Sequence, residues 1–280
     1  MYIAGGLGDQ MSRYALGRYL ALKNHTDLFL DTAFYQSKHN FAECDTRFYG
    51  LDNFKITASM ATSRQIRKLA TNLYFRHFKF IKSTHLIGKI NMENLDNFKI
   101  NGDCYIENHF GVCRYWSEIR PILLQEFSLK EELKLSKELA DWLADGVVAL
   151  HCRRGDKANS PQVNQVHGVC SVDYYQQAVH YLQERLGDFK LLIFSDEPDW
   201  VKQSLKFSQP VKFAADYGLS DAQELILMSR CTHQITANSS FSQWAAWLNN
   251  NENKIVIAPK KLINAAELAE DDLPTEWVRL

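Results

Sequence analysis

The first thirty residues carry an apolar pattern that predicts a strand, a glycine turn, a helix and a second strand. Residues 2–4 are apolar and precede the glycine-rich stretch 5–8, and residues 28–30 form another short apolar run. Between them, apolar side chains recur at helical spacing, at Met11, Tyr14, Ala15, Tyr19 and Leu22. This order of elements is typical of the opening of a parallel α/β unit.

The second half of the chain alternates between short apolar runs and amphipathic stretches. Residues 116–135 have a helical pattern that 134–143 continues, and Pro198 suits the first turn of a further helix, with Ser195 or Asp196 as its cap. Repeated strand–loop–helix units indicate a parallel sheet covered on both faces. The predicted strands are 147–152, 191–194, 211–213, 234–237 and 255–258, and the predicted helices are 172–186, 221–230 and 240–249.

These patterns predict an α/β fold with two Rossmann-like halves and a cleft between them. A chain of 280 residues is long enough for one large or two small domains. Since no linker rich in proline and glycine divides the chain, the boundary is placed just before Val147, which gives domains 1–145 and 146–280.

Composition narrows the class of protein. A hydrophobic content of 46% and a charged content of 23% are ordinary for a globular protein, and a formal net charge of −1 argues against a nucleic-acid partner. The six cysteines form no C-x-x-C pair, which indicates free thiols in a reducing compartment. No stretch approaches the about 20 apolar residues that cross a bilayer, and the early glycines interrupt any leader-like run. We therefore expect a cytoplasmic protein.

The stretch His151–Lys157, with the sequence HCRRGDK, directly follows the apolar run 147–150. It therefore lies at the carboxyl end of a predicted buried strand, where open α/β sheets bind their ligands. Guanidinium groups match pairs of phosphate oxygens, so Arg153 and Arg154 suit a diphosphate. The alternative is an ion-pair network that holds the turn, with Asp156 as a partner.

Three further stretches carry candidate chemistry, and each has a structural alternative. Residues 5–10 open the first helix, so their backbone N–H groups suit an anion. The alternative is that the glycines serve a tight turn. A dinucleotide-binding fingerprint is weak here, because Met11 stands where that fingerprint has its third glycine. Asp196 follows a strand and suits the edge of a base or a ribose hydroxyl, or a helix cap. Residues 237–242 suit phosphate or sugar hydroxyls, or capping.

Two other features are weaker. His167 lies in a polar loop after the arginine motif and suits a contact with an acceptor, while no His, Asp or Glu set has metal-ligand spacing, so no metal is expected. Residues 56–92 contain no acidic residue and interleave basic with aromatic side chains. Within them, 62–89 is a hypothetical contact with anionic lipid, although a solvated helix face explains the pattern slightly better.

Taken together, the motifs resemble those of the bacterial α-1,2-fucosyltransferases, glycosyltransferase family 11, especially the O-antigen and capsule enzymes. The stretch 5–11 is similar to the family's GGLGNQM opening, and 151–156 to its HxRRGD motif. The stretches 194–197 and 237–249 are similar to FSDD and to ANSSFSWWAAWLN. The resemblance runs from end to end and is weakest between residues 40 and 110.

The resemblance implies a GT-B fold and an inverting, metal-independent transfer from GDP-fucose, with no cofactor. It implies that Arg153 and Arg154 hold the diphosphate and stabilise the charge that develops on departing GDP. The implied donor-binding residues are His151, Asp156, Asp196, Ser239, Ser240 and Phe241, and the implied acceptor-binding residues are Gly6, Gln10 and His167. The implied acceptor is a galactose-type hydroxyl, on a lipid-linked O-antigen or capsule repeat at the inner membrane face.

The chain departs from the family pattern at several positions. Asp9 stands for Asn, and it is a candidate general base that Asn is not. Lys157 stands for Tyr, which is reminiscent of the α-1,6-fucosyltransferases and leaves the linkage open. The other departures are Ser12 for Phe, Glu197 for Asp and Gln243 for Trp. Three alternative functions therefore stay open. The first is a transferase that uses GDP-colitose, which is the 3-deoxy relative of GDP-fucose. The second is a nucleotide-sugar-binding protein without turnover, and the third is a glycan-binding module.

Overall fold

The computed structural model describes residues 1–36, 47–74, 86–87, 99, 102–107, 113–144, 146–264 and 273–280. They form two compact units, one within residues 1–127 and one that begins at Ser128. Each unit has its own parallel strands and its own buried residues, and each is described by itself below.

The first unit is built from short parallel strands and a long helix. Its helices are α1 (Leu7–Asn24), α2 (Ser63–Tyr74), α3 (Cys113–Glu118) and α4 (Arg120–Glu126), and its strands are β1 (Phe29–Leu30), β2 (Ser59–Met60), β3 (Leu86–Ile87) and β4 (Tyr105–Ile106). Strand β1 pairs with β2, and β3 with β4. The amino-terminal residues lie between the two pairs, because Tyr2 N donates to Ile106 O and Ile3 N to Asp31 O, both at 2.9 Å. The predicted strand–turn–helix–strand opening is therefore confirmed.

Helix α1 is fixed to the end of α4 by buried polar contacts. Tyr14 is fully buried, and its hydroxyl donates to Glu126 Oε2 at 2.6 Å. Arg18 Nε donates to Glu126 Oε1 at 2.9 Å, so the buried carboxylate is both paired and hydrogen-bonded. The same Tyr14 hydroxyl accepts from Thr57 N at 2.9 Å. The Glu126 carboxylate thus joins α4 to α1, and the Tyr14 hydroxyl joins α1 to the backbone at Thr57.

The second unit contains six parallel strands with helices between them. Its sheet has the order β10-β9-β8-β5-β6-β7. The strands are β5 (Val147–Cys152), β6 (Lys190–Ser195), β7 (Val211–Phe213), β8 (His233–Ile235), β9 (Val256–Ala258) and β10 (Val278–Arg279). The helices are α5 (Lys137–Leu143), α6 (Gly155–Asn159), α7 (Pro161–His167), α8 (Val172–Leu186), α9 (Pro198–Ser204), α10 (Asp221–Ser229) and α11 (Ser240–Leu248).

Counted from β5, this strand order is 3-2-1-4-5-6 read from the β7 edge, which is the doubly wound Rossmann order. Strand β5 is the first strand of the unit and is buried along its whole length, since it pairs with β6 on one side and β8 on the other. Tyr175 and Leu182 of α8 pack on one face of the sheet. The predicted Rossmann-like second half is therefore confirmed, including the bounds of α8 and β7.

The long helical stretch predicted from 116 to 143 is wrong. It contains three helices: Pro121 lies in the first turn of α4, and Phe127 follows the last residue of α4. Helix α5 starts anew after Ser136, whose Oγ accepts from Leu139 N at 3.2 Å. The break also separates the compact units, so that α5 belongs to the second unit rather than to the stretch before the proposed boundary at 145.

Helix α5 contacts the amino-terminal ends of strands in the second unit. Lys190 Nζ and Lys212 Nζ lie 5.1 Å and 5.0 Å from the ring centroid of Trp142, and Lys212 forms an ion pair with Glu138. These contacts explain why the compact units divide about eighteen residues before the position chosen from the sequence.

Candidate active site at the switch point of the second sheet

The strand order places a ligand crevice where the sequence motifs end. In a 3-2-1-4-5-6 sheet the strand order reverses between strands 1 and 4, and ligands bind outside the carboxyl ends of the strands at that point. In this chain the two strands are β5 and β8. Residues 153–157 follow β5 and include the start of α6, and residues 236–240 follow β8 and lead into α11. Both predicted donor-binding stretches therefore lie at the same edge, on either side of the switch point.

Arg153 is held between two carboxylates. Its Nη2 lies 2.5 Å from Asp156 Oδ1, and its Nη1 lies 2.7 Å from Asp196 Oδ2. The guanidinium is mostly buried, with 17% of the side chain exposed. The ion-pair network with Asp156 that the sequence offered as an alternative is therefore present, and it lies at the ligand-binding edge.

Arg154 points towards the β6 side of β5. Its Nε donates to Glu197 Oε2 at 3.0 Å, and its guanidinium carbon lies 3.8 Å from the ring centroid of Trp200 in α9. Its backbone N–H donates to Asp196 Oδ1 at 2.9 Å. These contacts stack and pair the side chain, so Arg154 braces the loop after β5 against the loop after β6.

Asp196 serves the arginine loop instead of capping the following helix. The residue that precedes α9 is Glu197, and its N–H donates to Ser195 Oγ at 3.0 Å. Burial raises the pKa of Asp196, while the neighbouring Arg153 and the Arg154 N–H oppose that rise. The cap interpretation is therefore wrong for Asp196.

Lys157 and Asn238 join the two loops across the switch point. The Lys157 ammonium donates to the backbone carbonyl oxygen of Asn238, which lies three residues after the end of β8. The sequence motifs include both residues, Lys157 in 151–157 and Asn238 in 237–242, but gave neither a role of its own. The signal that could have found them is their position after two strands that become neighbours once the strand order is known.

The amino terminus of α11 lies at the same edge of the sheet, after β8. Ser239 precedes the helix, and its side chain makes no capping hydrogen bond. Ser242 Oγ instead accepts from Ala237 N and donates to Ser239 O, both at 3.2 Å, and so fixes the turn between strand and helix. The N–H groups of the first helical turn, at Ser240 and Phe241, lie at the positive end of the helix dipole, which suits an anion.

His151 lies below this turn as a neutral, buried ring. Its ring centroid is 5.5 Å from that of Phe241, and the residue is 5% exposed. Burial, followed by the nearby Arg153 and Lys157, lowers the pKa of His151 to about 3. Its Nδ1 has no hydrogen-bond partner within the described part of the chain. The imidazole is thus a neutral polar group with an unused hydrogen-bonding atom beside the first turn of α11.

His167 lies at the end of α7, and its backbone is tied to the switch point. Its carbonyl oxygen accepts from Asn238 Nδ2 at 2.8 Å, whereas its side chain is exposed. Gly168 follows with φ of +65°, and a Cβ there would lie 2.6 Å from Asn264 Oδ1. The positive φ therefore favours glycine at this position.

The remaining predicted site residues lie at the start of α1 in the first unit. Gly5 has φ of +86°, and a Cβ there would lie 2.7 Å from Asp9 Oδ2, so the tight-turn interpretation holds for Gly5. At Gly6 a Cβ would meet only an ordinary contact, at 3.8 Å. Gln10 is 1% exposed: its Nε2 donates to Phe48 O at 2.8 Å, and its Oε1 accepts from Gly50 N at 2.9 Å. These contacts make Gln10 a support for the neighbouring loop.

The described residues contain neither a cluster of metal ligands nor a membrane-spanning helix. No group of three or more His, Cys, Asp and Glu side chains is placed to hold a metal ion in that part of the chain. No helix among the residues with described positions is both long and apolar enough to cross a bilayer. Of the basic and aromatic segment 62–89, residues 75–85 and 88–89 lie outside the described residues, and the rest contains α2 and the short strand β3.

Comparison with known proteins gives the same family as the motifs. The model of the family described as glycosyl transferase family 11 matches residues 20–280. An α-1,2-colitosyltransferase of Escherichia coli is 30% identical, over 99% of this chain and 97% of its own. The O-antigen biosynthesis glycosyltransferase WbnK of Escherichia coli is 28% identical, over 99% of both chains.

The fold agrees with a solved structure. Arabidopsis thaliana FUT1, determined as an R284K mutant in complex with GDP, superposes with a TM-score of 0.52 at 12% identity, over 98% of this chain and 74% of that one. The predicted α/β fold of the GT-B type is thereby confirmed, and the chain is a glycosyltransferase. From its motifs, its fold and its match over residues 20–280, the chain belongs to glycosyltransferase family 11.

Proposed function

We propose that this glycosyltransferase transfers L-fucose from GDP-fucose, in α-1,2 linkage, to a galactose-type hydroxyl of a surface glycan. The relatives that match the whole chain are named for α-1,2 transfer of a deoxysugar and for O-antigen biosynthesis. Further relatives matching about half of the chain are galactoside α-1,2-fucosyltransferases of mammals, such as that of Gorilla gorilla gorilla at 27% identity. These names support the linkage and the class of acceptor.

The observation that carries the proposal is the convergence of two motifs at the switch point between β5 and β8. The diphosphate lies there between the first turn of α11 and the Lys157 ammonium, with the Arg153 guanidinium beside them. Helix N–H groups and cations stabilise the charge on the oxygen that leaves with GDP, so they lower the barrier to breaking the sugar–phosphate bond. With these cations in place, transfer requires no metal ion.

The nucleoside part of the donor lies towards the β6 side or under α11. His151 offers its free Nδ1 beside Phe241, and Asp196 and Glu197 supply carboxylates at the end of β6. A carboxylate accepts hydrogen bonds from the donor edge of guanine or from ribose hydroxyls. Asp196 must share its oxygens with Arg153 and with the Arg154 N–H in doing so.

The acceptor requires a base. In an inverting displacement the acceptor oxygen attacks the anomeric carbon, the bond to the phosphate oxygen breaks, and the hydroxyl proton passes to a base. We assign the base to Asp9, in the first turn of α1, and acceptor contacts to Gly6, Gln10 and His167, with Gln10 acting through the loop that it supports. Asp9→Asn is expected to lower kcat by about 100-fold or more with little change in GDP affinity. Full activity in this variant would remove Asp9 as the base.

A second donor, GDP-colitose, has support of its own. The 30% identical relative from Escherichia coli is named as a colitosyltransferase. Colitose lacks the 3-hydroxyl of fucose, so a pocket for it needs no hydrogen-bonding partner at that position. A site that does hydrogen-bond the 3-hydroxyl discriminates against the deoxysugar, because its polar groups would be left without partners.

The experiment that tests the proposal compares both donors directly. The protein is incubated with GDP-fucose or GDP-colitose, a panel of β-galactosides and EDTA, and products are identified by mass spectrometry and NMR. An α-1,2-linked product that survives EDTA supports the proposal and names the sugar. Binding of GDP with no product from either donor, also with the lipid-linked repeat as acceptor, would instead indicate a nucleotide-sugar-binding protein without turnover.

We further propose that the enzyme acts in the cytoplasm on a lipid-linked acceptor and touches the inner membrane face through residues 62–89. The described part of this segment supports the idea with an exposed cationic surface on α2, at Arg64 and Arg67. Charge reversal at these two positions is expected to reduce cosedimentation with liposomes that contain anionic lipid, since each cation contributes about 1 kcal/mol. Cosedimentation that stays unchanged would count against the membrane contact.

A further inference from the structure

The segment between β5 and α8 crosses the carboxyl-terminal edge of the second sheet. This β5–α8 segment, residues 153–171, contains α6 and α7. On the β6 side, Asn159 Nδ2 donates to Glu197 Oε1 at 3.1 Å. On the β8 side, Lys157 Nζ donates to the backbone oxygen of Asn238. The segment is therefore tied to the strands on both sides of β5, across the edge where the donor is proposed to bind.

Asn238 also holds the far end of the β5–α8 segment, through its side chain. Its Nδ2 donates to His167 O at 2.8 Å and to Gly168 O at 3.1 Å, and its Oδ1 lies 3.7 Å from the Cys170 thiol, which donates to it. Asn238 is 6% exposed. A side-chain amide provides two hydrogen-bond donors and an acceptor in one small group. An ionised aspartate accepts hydrogen bonds but cannot donate them, and an apolar side chain neither donates nor accepts.

Both ends of the segment thus converge on one residue that directly precedes the anion-binding turn of α11. The backbone oxygen of Asn238 receives the near end, at Lys157, and its side chain receives the far end, at 167–170. The two attachments are chemically separable, because a substitution removes the side-chain contacts and leaves the backbone carbonyl in place.

We propose that Asn238 is a positioning residue for sugar transfer, which holds the 167–170 end of the β5–α8 segment over the bound donor. The inference rests on the proposed function. Asn238 itself does not touch the donor; it acts through the segment, which excludes water from the anomeric carbon. When the far end is released, water competes with the acceptor, so that the donor is hydrolysed to free sugar and GDP. The diphosphate contacts at Lys157 and at the first turn of α11 remain.

The test measures how each turnover is divided between transfer and hydrolysis. Total GDP release and glycoside product are measured together for the wild type and Asn238→Ala, at saturating donor and acceptor. We expect the hydrolysed fraction to rise about 5-fold or more in Asn238→Ala, in line with the loss of three side-chain hydrogen bonds, while the Kd for GDP stays within about 3-fold. A role confined to stability would lower the yield of folded protein without changing this fraction.

Asn249→Ala is the matched control. Asn249 is 3% exposed and lies at the other end of α11, where its Nδ2 donates to Cys231 O at 2.7 Å. This variant is expected to lose comparable thermal stability and to keep the wild-type hydrolysed fraction. Asn264→Ala replaces Asn238→Ala in the test if Asn238→Ala does not fold. The exposed Asn264 side chain contacts α7, because its Nδ2 donates to Asn164 O at 3.0 Å. Loss of this contact is expected to raise the hydrolysed fraction as well.

The outcomes separate the two levels of the proposal. An active wild type whose hydrolysed fraction is unchanged by Asn238→Ala, or by Asn264→Ala if that variant is the one that folds, overturns the positioning role alone. An equal rise in Asn249→Ala overturns it too, because the effect then follows any loss of stability. A wild type that neither binds GDP nor transfers sugar overturns the proposed function, and the positioning role with it.

Discussion

Lys157 gives the sharpest prediction about the donor site, because it is the cation on the β8 side of the switch point. Its ammonium donates to the backbone oxygen of Asn238, directly before the first turn of α11. A hydrogen bond from a charged group to phosphate contributes about 1.5–3 kcal/mol. Lys157→Met is therefore expected to weaken GDP binding by about 10- to 150-fold. Lys157→Arg is expected to recover part of the loss, because it restores the charge.

The measurement compares GDP with guanosine by isothermal titration calorimetry. Guanosine lacks the diphosphate, so its Kd is expected to change by less than about 2-fold in Lys157→Met if the ammonium binds phosphate. Lys206→Met, at an exposed position after α9, is the control and is expected to bind both ligands like the wild type. Equal weakening of GDP and guanosine would refute the assignment, since it would mean that Lys157 only holds the loops together. Unchanged GDP binding would refute it as well.

The remaining predictions concern stability, pH and the brace beside the site. Tyr14→Phe removes a buried hydroxyl that bonds Glu126, so the free energy of unfolding is expected to fall by about 1–3 kcal/mol, as measured by urea denaturation; an unchanged midpoint would contradict the buried network. Burial raises the pKa of Glu224 from 4.5 to about 7, so its protonated form stabilises the folded state, and that stabilisation is complete below pH 4.5 and is lost as the pH rises through 7. Glu224→Gln is therefore expected to be more stable than the wild type at pH 8, by about 3 kcal/mol at most and about 1–2 kcal/mol after solvent screening. No gain in stability is expected at pH 4.5. A gain that does not depend on pH, measured by thermal unfolding, would contradict this. Trp200→Leu removes the ring under Arg154 and is expected to lower kcat/KM about 3- to 10-fold, whereas Trp200→Phe keeps the stack and most of the activity; equal loss in both variants would show that stacking is not the cause.

The elements that could be predicted from the sequence are those whose local pattern agrees with their packing. Helix α8 has the predicted bounds, because Ser171 caps it, Gly187 ends it and its apolar stripe packs on the sheet. The single helix predicted over 116–143 was wrong, because the helical periodicity of apolar residues continues through residues that tertiary contacts hold outside a helix. Phe127, whose ring centroid lies 5.5 Å from that of Tyr14, ends α4 in the core of the first unit.

For the site, sequence motifs predicted which loops matter and left open what each side chain does. The sequence predicted that both arginines matter. The role of each arginine depends on which neighbouring side chain it contacts, and the order of the strands determines those neighbours. Arg154 turns to Glu197 and Trp200, while Lys157 turns to Asn238, 81 residues further along the chain. No local pattern encodes a contact over that separation; the order of the strands creates it.

The loops at the switch point are balanced in charge, and this balance affects how the site selects among anions. Residues 153–157, 195–197 and 236–240 contain three basic and three acidic side chains, and both arginines pair with carboxylates. A balanced edge creates little long-range field, so it neither steers nor concentrates the abundant polyanions of a cell. In the proposed site, an incoming diphosphate meets arginines that already pair with carboxylates. Selection then occurs at contact, by shape and hydrogen bonding, and inorganic phosphate or an unrelated nucleotide gains little from charge alone.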